Sequence, residues 1–217
     1  MKLTRRQFNR IAMAALGAAV LPAFAVDPVL GRDYDPIDPP QPGDDPVKIE
    51  VLEFFSYGCP HCKDLNSLVT DWVTTLPEDV TFKRVPVCFG RAAWANLARL
   101  YYTLETTGDL QRLDDVVFQA IHGERVNLFS EQVIVDWVAR QGADAQRFTA
   151  AYNSFSVHTM LVRGEELTRE FKVEGVPLLT VDGRYAVTAR GARSFADYLA
   201  ITEGLIGLTR AARLRNG

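Results

Sequence analysis

Apolar positions along this chain follow two rhythms. Residues 48–55, KIEVLEFF, make a short and nearly continuous apolar run of strand character, stopped by Ser56, Tyr57 and Gly58. Beyond the stop, Leu65, Leu68, Val69, Trp72, Val73 and Leu76 recur at helical spacing and form one apolar stripe. A second strand pattern, TFKRVPVCF, occupies residues 81–89. Strand, helix and strand in that order predict a βαβ unit with parallel strands.

The rhythm then stays helical from residue 91 to about 172. RAAWANLARLYYTLETTG, LQRLDDVVFQAIHG, SEQVIVDWVARQG, DAQRFTAAYNSF and the stretch from Val157 to Lys172 each read as a helix. Gly108, Gly123 and Gly142 serve as stop signals, and Ser130 and Asp144 as N-caps. Strand character returns in VPLLTV at residues 176–181. Asp182-Gly183 is a tight hairpin turn with RYAVT pairing back, and a last helix runs from about Ser194 to Arg213. The layout is an α/β domain carrying a helical insertion.

Both ends of the pattern's N-terminal side break these rhythms. Residues 27–46 contain six of the eleven prolines and six aspartates, which bars a helix or a central strand; residues 26–46 are therefore expected to be a solvated arm, with the folded domain starting near Val47. Upstream, Lys2, Arg5, Arg6 and Arg10 precede an apolar stretch from Ile11 to Leu21 that is short for a bilayer, followed by Ala23-Phe24-Ala25. Residues 1–25 read as a signal peptide cleaved after Ala25. Adjacent Arg5 and Arg6 fit a twin-arginine signal as well as a general secretory one, so both routes stay open. No later segment is apolar enough to cross a membrane.

Composition, 47% hydrophobic and 24% charged, is ordinary for a globular chain of 217 residues. Removal of residues 1–25 leaves 20 Lys+Arg against 27 Asp+Glu, a net charge of −7. That argues against a nucleic-acid partner, since phosphate binding wants clustered positive charge. Export also fixes the redox setting: in an oxidising compartment a dithiol can persist as a disulfide.

The chemistry concentrates in Cys59-Pro60-His61-Cys62, which holds two of the three cysteines. Cys59 follows a strand and opens a helix, where unpaired N–H groups and the positive helix end favour a thiolate. Pro60 falls in the first helical turn, where its missing N–H costs nothing. His61, when protonated, adds positive charge, and Cys62, one turn further in, is less exposed and suited to be the resolving partner. A structural disulfide across two residues constrains the unfolded chain little. A zinc site would need two more ligands, and Cys88, His122 and His158 have no ligand spacing. No metal and no bound cofactor is expected, and the pair reads as a redox centre. Cys88 reads as an inert core residue, although parallel strands put it at the same carboxyl edge as the cysteine turn, within range of mis-pairing. His122 and His158 are assigned to packing or surface, and Trp94, Tyr101, Tyr102, Phe118 and Trp137 to helix-core stripes.

CPHC after VLEFFSYG, the strand entering GVPLLTVDGRY and the segment AYNSF resemble the DsbA-type thiol:disulfide oxidoreductases of the bacterial periplasm, from about Tyr34 to the last helix. The resemblance implies a thioredoxin fold interrupted by an all-helical domain, with residues 47–90 and 173–217 as the thioredoxin-like part and 91–172 inserted. It implies an oxidase that donates the Cys59–Cys62 disulfide to reduced, unfolded secreted polypeptides and is reoxidised by a DsbB-like membrane quinone reductase, the enzyme acting as a monomer. It implies a cis bond between Val176 and Pro177, facing the pair, with the Val176 backbone pairing with substrate. Glu53, an odd carboxylate inside a central strand, would pair with Arg84 or Lys83 on the next strand and handle protons near Cys62. A disulfide reductase or isomerase is the alternative within the class. A periplasmic peptide-binding or chaperone module is the alternative outside it.

Overall fold

The computed structural model describes residues 26–216, so the signal peptide read at residues 1–25 lies outside the described residues. A five-stranded sheet in the order β1-β5-β4-β2-β3 organises the molecule. Its centre is β2 (Ile49–Phe55), and every one of its seven residues is buried. β2 pairs in parallel with β3 (Val80–Pro86) and antiparallel with β4 (Leu178–Val181). A strand covered on both faces can be apolar throughout, which explains why KIEVLEFF shows no alternation. The period of two persists in what each side chain meets. Ile49 and Val51 enter a core with Leu65, Val69, Leu179 and Leu205, whereas Leu52 and Phe54 enter another with Val85, Phe171 and Val173.

Helix α1 (Pro60–Val73) buries Cys62, Leu65, Asn66, Val69 and Trp72. Leu68, placed on the apolar stripe by spacing alone, is instead 40% exposed. Asn66 takes an inward position in its stead.

Five helices then follow: α2 (Ala92–Thr107), α3 (Leu110–Phe118), α4 (Glu131–Arg140), α5 (Ala145–Tyr152) and α6 (Phe155–Glu170). Gly108 ends α2 in the left-handed region at φ 78°. The segment 110–123, read as one helix, breaks into α3 and a π-helical turn at Gln119–Gly123, closed by Glu124 N–H donating to the Gln119 carbonyl at 2.9 Å. Asp144 caps α5 by accepting from the Gln146 and Arg147 N–H groups. Ser130 stands at the N-cap of α4 without a side-chain bond. Ser154 caps α6 by accepting from Val157 N–H, so that helix starts at Phe155 rather than Val157. The last helix, α7 (Phe195–Asn216), packs against β4 with Tyr198, Leu205 and Ile206 in the core beside Leu179.

The hairpin between β4 and β5 (Tyr185–Val187) turns on Asp182 and Gly183, both in the left-handed region at φ 57° and 61°, with Arg184 N–H donating to the Val181 carbonyl at 3.0 Å. A Cβ at Gly183 would lie 1.9 Å from the Gln41 carbonyl oxygen.

That contact belongs to a correction: part of the arm at residues 26–46 is not a solvated tail. β1 (Tyr34–Pro36) pairs antiparallel with β5 and forms the sheet edge. Ile37 N–H donates to Arg184 and Gln41 N–H to Gly183, each at 2.8 Å, and Asp33 is 1% exposed. An edge strand satisfies ladder bonds on one side only, and that tolerates the prolines that exclude a central strand.

Candidate active site

Cys59 is the N-cap of α1, with extended backbone (φ −99°, ψ 119°) and no side-chain cap of its own, and Pro60 opens the helix. Its N–H donates to the Ser56 carbonyl at 3.0 Å, and Gly58 N–H donates to Ser56 Oγ at 3.1 Å, so Ser56 knots the turn from within. Gly58 lies against the insertion: a Cβ there would come within 2.8 Å of Trp94 Nε1. The Cys59 thiol points at the Val176 carbonyl oxygen, 3.4 Å away, and the Val176–Pro177 peptide bond is cis. His61 is exposed. Together with Val176, Pro177, Leu178, Phe195 and Tyr198 it lines a groove of about 630 Å³ beside the cysteines.

The three cysteines are free and buried, but the two in the turn differ. A hydrogen bond from the Cys62 thiol, then the N–H groups of Cys62 and His61 and the charge of His61, bring Cys59 down to about 6 against the opposing effect of burial. Burial pushes Cys62 far up, and the neighbouring Cys59 and the Glu53 charge push in the same direction. Cys88 is raised to about 12, first by burial and then by Glu165.

Beneath the turn, Glu53 is wholly buried and accepts from Arg84 Nε at 2.7 Å. The parallel register sets Glu53 opposite Arg84 and Leu52 opposite Lys83. Alternation therefore sends Lys83 elsewhere, to Glu50 at 2.8 Å and to Asp44. Of the two cations considered from sequence, Arg84 is the partner of Glu53. Its guanidinium lies 3.9 Å from the centre of the Phe55 ring and donates through Nη1 to Asp114 Oδ2 at 2.8 Å. Burial lifts the Glu53 carboxyl above its ordinary range, opposed by Arg84 and assisted by Asp114.

Three neighbours, Tyr57, His122 and Asp114, were given no part in the site by the sequence alone. Tyr57, two residues before Cys59, donates its hydroxyl to Asp114 Oδ1 at 2.6 Å. Its carbonyl accepts from His122 Nε2 at 2.8 Å, so His122 of the π-helical turn holds the active-site turn rather than the surface. Asp114 gave one signal, a carboxylate at i−4 from Phe118 on a helix whose buried residues include Leu113, Val117 and Phe118. Among the described residues, no group of three or more His, Cys, Asp or Glu side chains is placed to hold a metal ion.

A dithiol turn that caps the helix after a central strand, with a cis-proline loop facing its first sulfur, defines a thioredoxin-type redox centre. Residues 50–200 match the DSBA-like thioredoxin domain family. The chain is 41% identical to the thiol:disulfide interchange protein DsbA of Bordetella pertussis, over 94% of this chain and 97% of that protein. It is 35% identical to the protein of the same name from Pseudomonas aeruginosa, over 93% and 94%. The crystal structure of Pseudomonas aeruginosa DsbA superposes with a TM-score of 0.82 at 34% identity, covering 86% of this chain and 97% of that one. DsbA from Xylella fastidiosa gives 0.78 at 32% identity, covering 85% and 99%. The chain belongs to the DsbA-like family, with a thioredoxin fold interrupted by a helical insertion, and it is a thiol:disulfide interchange oxidoreductase.

Proposed function

We propose that interchange runs as oxidation: the Cys59–Cys62 disulfide is donated to reduced, unfolded polypeptides newly exported to the bacterial periplasm. The observation that carries this reading is the split setting of two thiols in one turn: Cys59 caps α1 and faces the Val176 carbonyl, which goes with a thiol lowered to about 6, whereas Cys62 is buried inside the helix and pushed up. A sulfur stable as a thiolate is a good leaving group, and it stabilises the reduced enzyme, so the disulfide is readily given away.

A substrate thiolate attacks Cys59 Sγ, the bond to Cys62 breaks, and its electron pair stays on Cys62. Burial makes Cys62 a poor thiolate, so it takes a proton, for which Glu53 is the assigned donor, its carboxylate then held by Arg84. A second substrate thiolate attacks the substrate sulfur of the mixed disulfide, closes the substrate's own disulfide and releases Cys59 as thiolate. Pro60 and His61 shape and polarise the turn. Val176 and Pro177 form the wall against which the substrate backbone lies in the adjoining groove. Residues 47–90 and 173–217 are the thioredoxin-like part and 91–172 the insertion; the enzyme is a monomer without a bound cofactor, exported by residues 1–25 through the general or twin-arginine route. A DsbB-like membrane quinone reductase restores the disulfide.

The decisive measurement is the potential of the Cys59–Cys62 pair in glutathione buffers, with Cys88→Ser to remove the third thiol. A value on the order of −150 mV or higher makes the pair a disulfide donor, in the range of the DsbA family's own value of about −120 mV. One near the thioredoxin value of about −270 mV turns the reading into a reductase. Replacing both cysteines by alanine abolishes the activity, an outcome that a peptide-binding module would not give.

A further inference from the structure

Arg84 is shared. It donates to Glu53 through Nε at 2.7 Å and to Asp114 through Nη1 at 2.8 Å. The Glu53 side chain is 0% exposed and that of Asp114 17%, so both compete for one guanidinium largely away from water. Asp114 is further fixed by the Tyr57 hydroxyl, which makes it a bridge from the helical insertion to the active-site turn. Glu53 Oε1 is buried without a hydrogen-bond partner, a defect that costs a carboxylate more than a neutral acid. Glu53 faces Arg84 from β3, Asp114 from α3, Cys62 from α1 and Tyr198 from α7. Asp114 is the one carboxylate in that circle.

We infer that Asp114 is a positioning residue for the exchange reaction: by holding one side of Arg84 it limits the positive charge available to Glu53 and keeps the Glu53 carboxyl loaded with the proton Cys62 takes. The insertion thus acts on the chemistry through a side chain that touches neither sulfur nor substrate. When the Cys59–Cys62 bond opens, the proton leaves Glu53 for Cys62, and Arg84 neutralises the new Glu53 carboxylate while still paired with Asp114. Solvent later returns the proton. The inference deepens the disulfide-donor reading and rests on it for its consequence in turnover.

The test is a titration of Glu53 by the resonance of its side-chain carboxyl carbon in the whole protein, assigned by its loss in Glu53→Gln. In Asp114→Asn, Arg84 is left to Glu53 alone, and the Glu53 midpoint falls by about one pH unit. In Tyr57→Phe, Asp114 loses the hydroxyl that disperses its charge, and the midpoint moves up. Asp114→Glu keeps the charge and restores the original profile. The rate at which Cys62 displaces glutathione from Cys59 follows the same shifts on its acid side, while the Cys59 thiolate midpoint stays near its own value of about 6. A Glu53 midpoint unmoved in both Asp114→Asn and Tyr57→Phe, or raised in Asp114→Asn, overturns the inference; if Asp114→Asn does not fold, Tyr57→Phe decides alone. Because the titration needs no turnover, a thioredoxin-like potential would sink the donor reading and leave this result standing.

Discussion

Cys59 and Cys62 share a helical turn and differ because one caps the helix and the other is inside it. That difference fixes a sign in the pH dependence of stability. The Cys59 value lies below the ordinary thiol value of 9.0, at about 6, so folding of the reduced protein favours the thiolate. Its contribution is complete above the unfolded thiol's titration and is lost as pH falls through about 6. The oxidised protein has no such group. Urea unfolding of both forms should therefore show the reduced form losing stability, relative to the oxidised, as pH falls from about 9 to about 6, with no further loss from this group below that. Arg84 supports a second expectation. Arg84→Met removes the counter-charge of Asp114 and the hydrogen-bond donor of buried Glu53, and costs about 3–5 kcal/mol in urea unfolding. At this scale the cysteine pair and the carboxylate of Glu53 stood out by residue type, whereas the position of Val176-Pro177 opposite Cys59 came from the family resemblance, because that contact spans 117 residues of chain. Asp114 and His122 did not stand out, because their meaning is set by Tyr57, which lies 57 and 65 residues away in the chain.

Elements were legible where one local interaction decides them. The parallel β2–β3 pair, the type I′ hairpin at Asp182-Gly183 and the cap at Asp144 all followed from spacing and turn chemistry. The misses share a cause: tertiary contact overrode local preference. Asn66 displaced Leu68 on the inner side of α1, and the helix 110–123 ended in a π-helical turn that brings His122 to the Tyr57 carbonyl. The two N-caps give a paired prediction. Asp144→Ala removes two cap bonds and costs about 1 kcal/mol in thermal or urea unfolding, whereas Ser130→Ala removes none and changes stability little.

For the whole molecule, composition misjudged one thing, the Pro/Asp-rich arm, because an edge strand needs partners on a single side. Deleting residues 26–46 unpairs β5 along that edge and should lower the thermal midpoint by roughly 5–10 °C, read by circular dichroism, while the Cys59 thiolate still titrates near about 6. The split of the sheet across the chain also orders events in time. A ribosome makes β2 and the cysteine turn early, yet Asp114 comes 57 residues after Tyr57, and the Val176 carbonyl 117 residues after Cys59. β1 waits longer still for β5. During that interval the cysteine turn lacks both the carboxylate that ties it to the insertion and the carbonyl that faces Cys59, so the substrate wall is the last part of the site to be made.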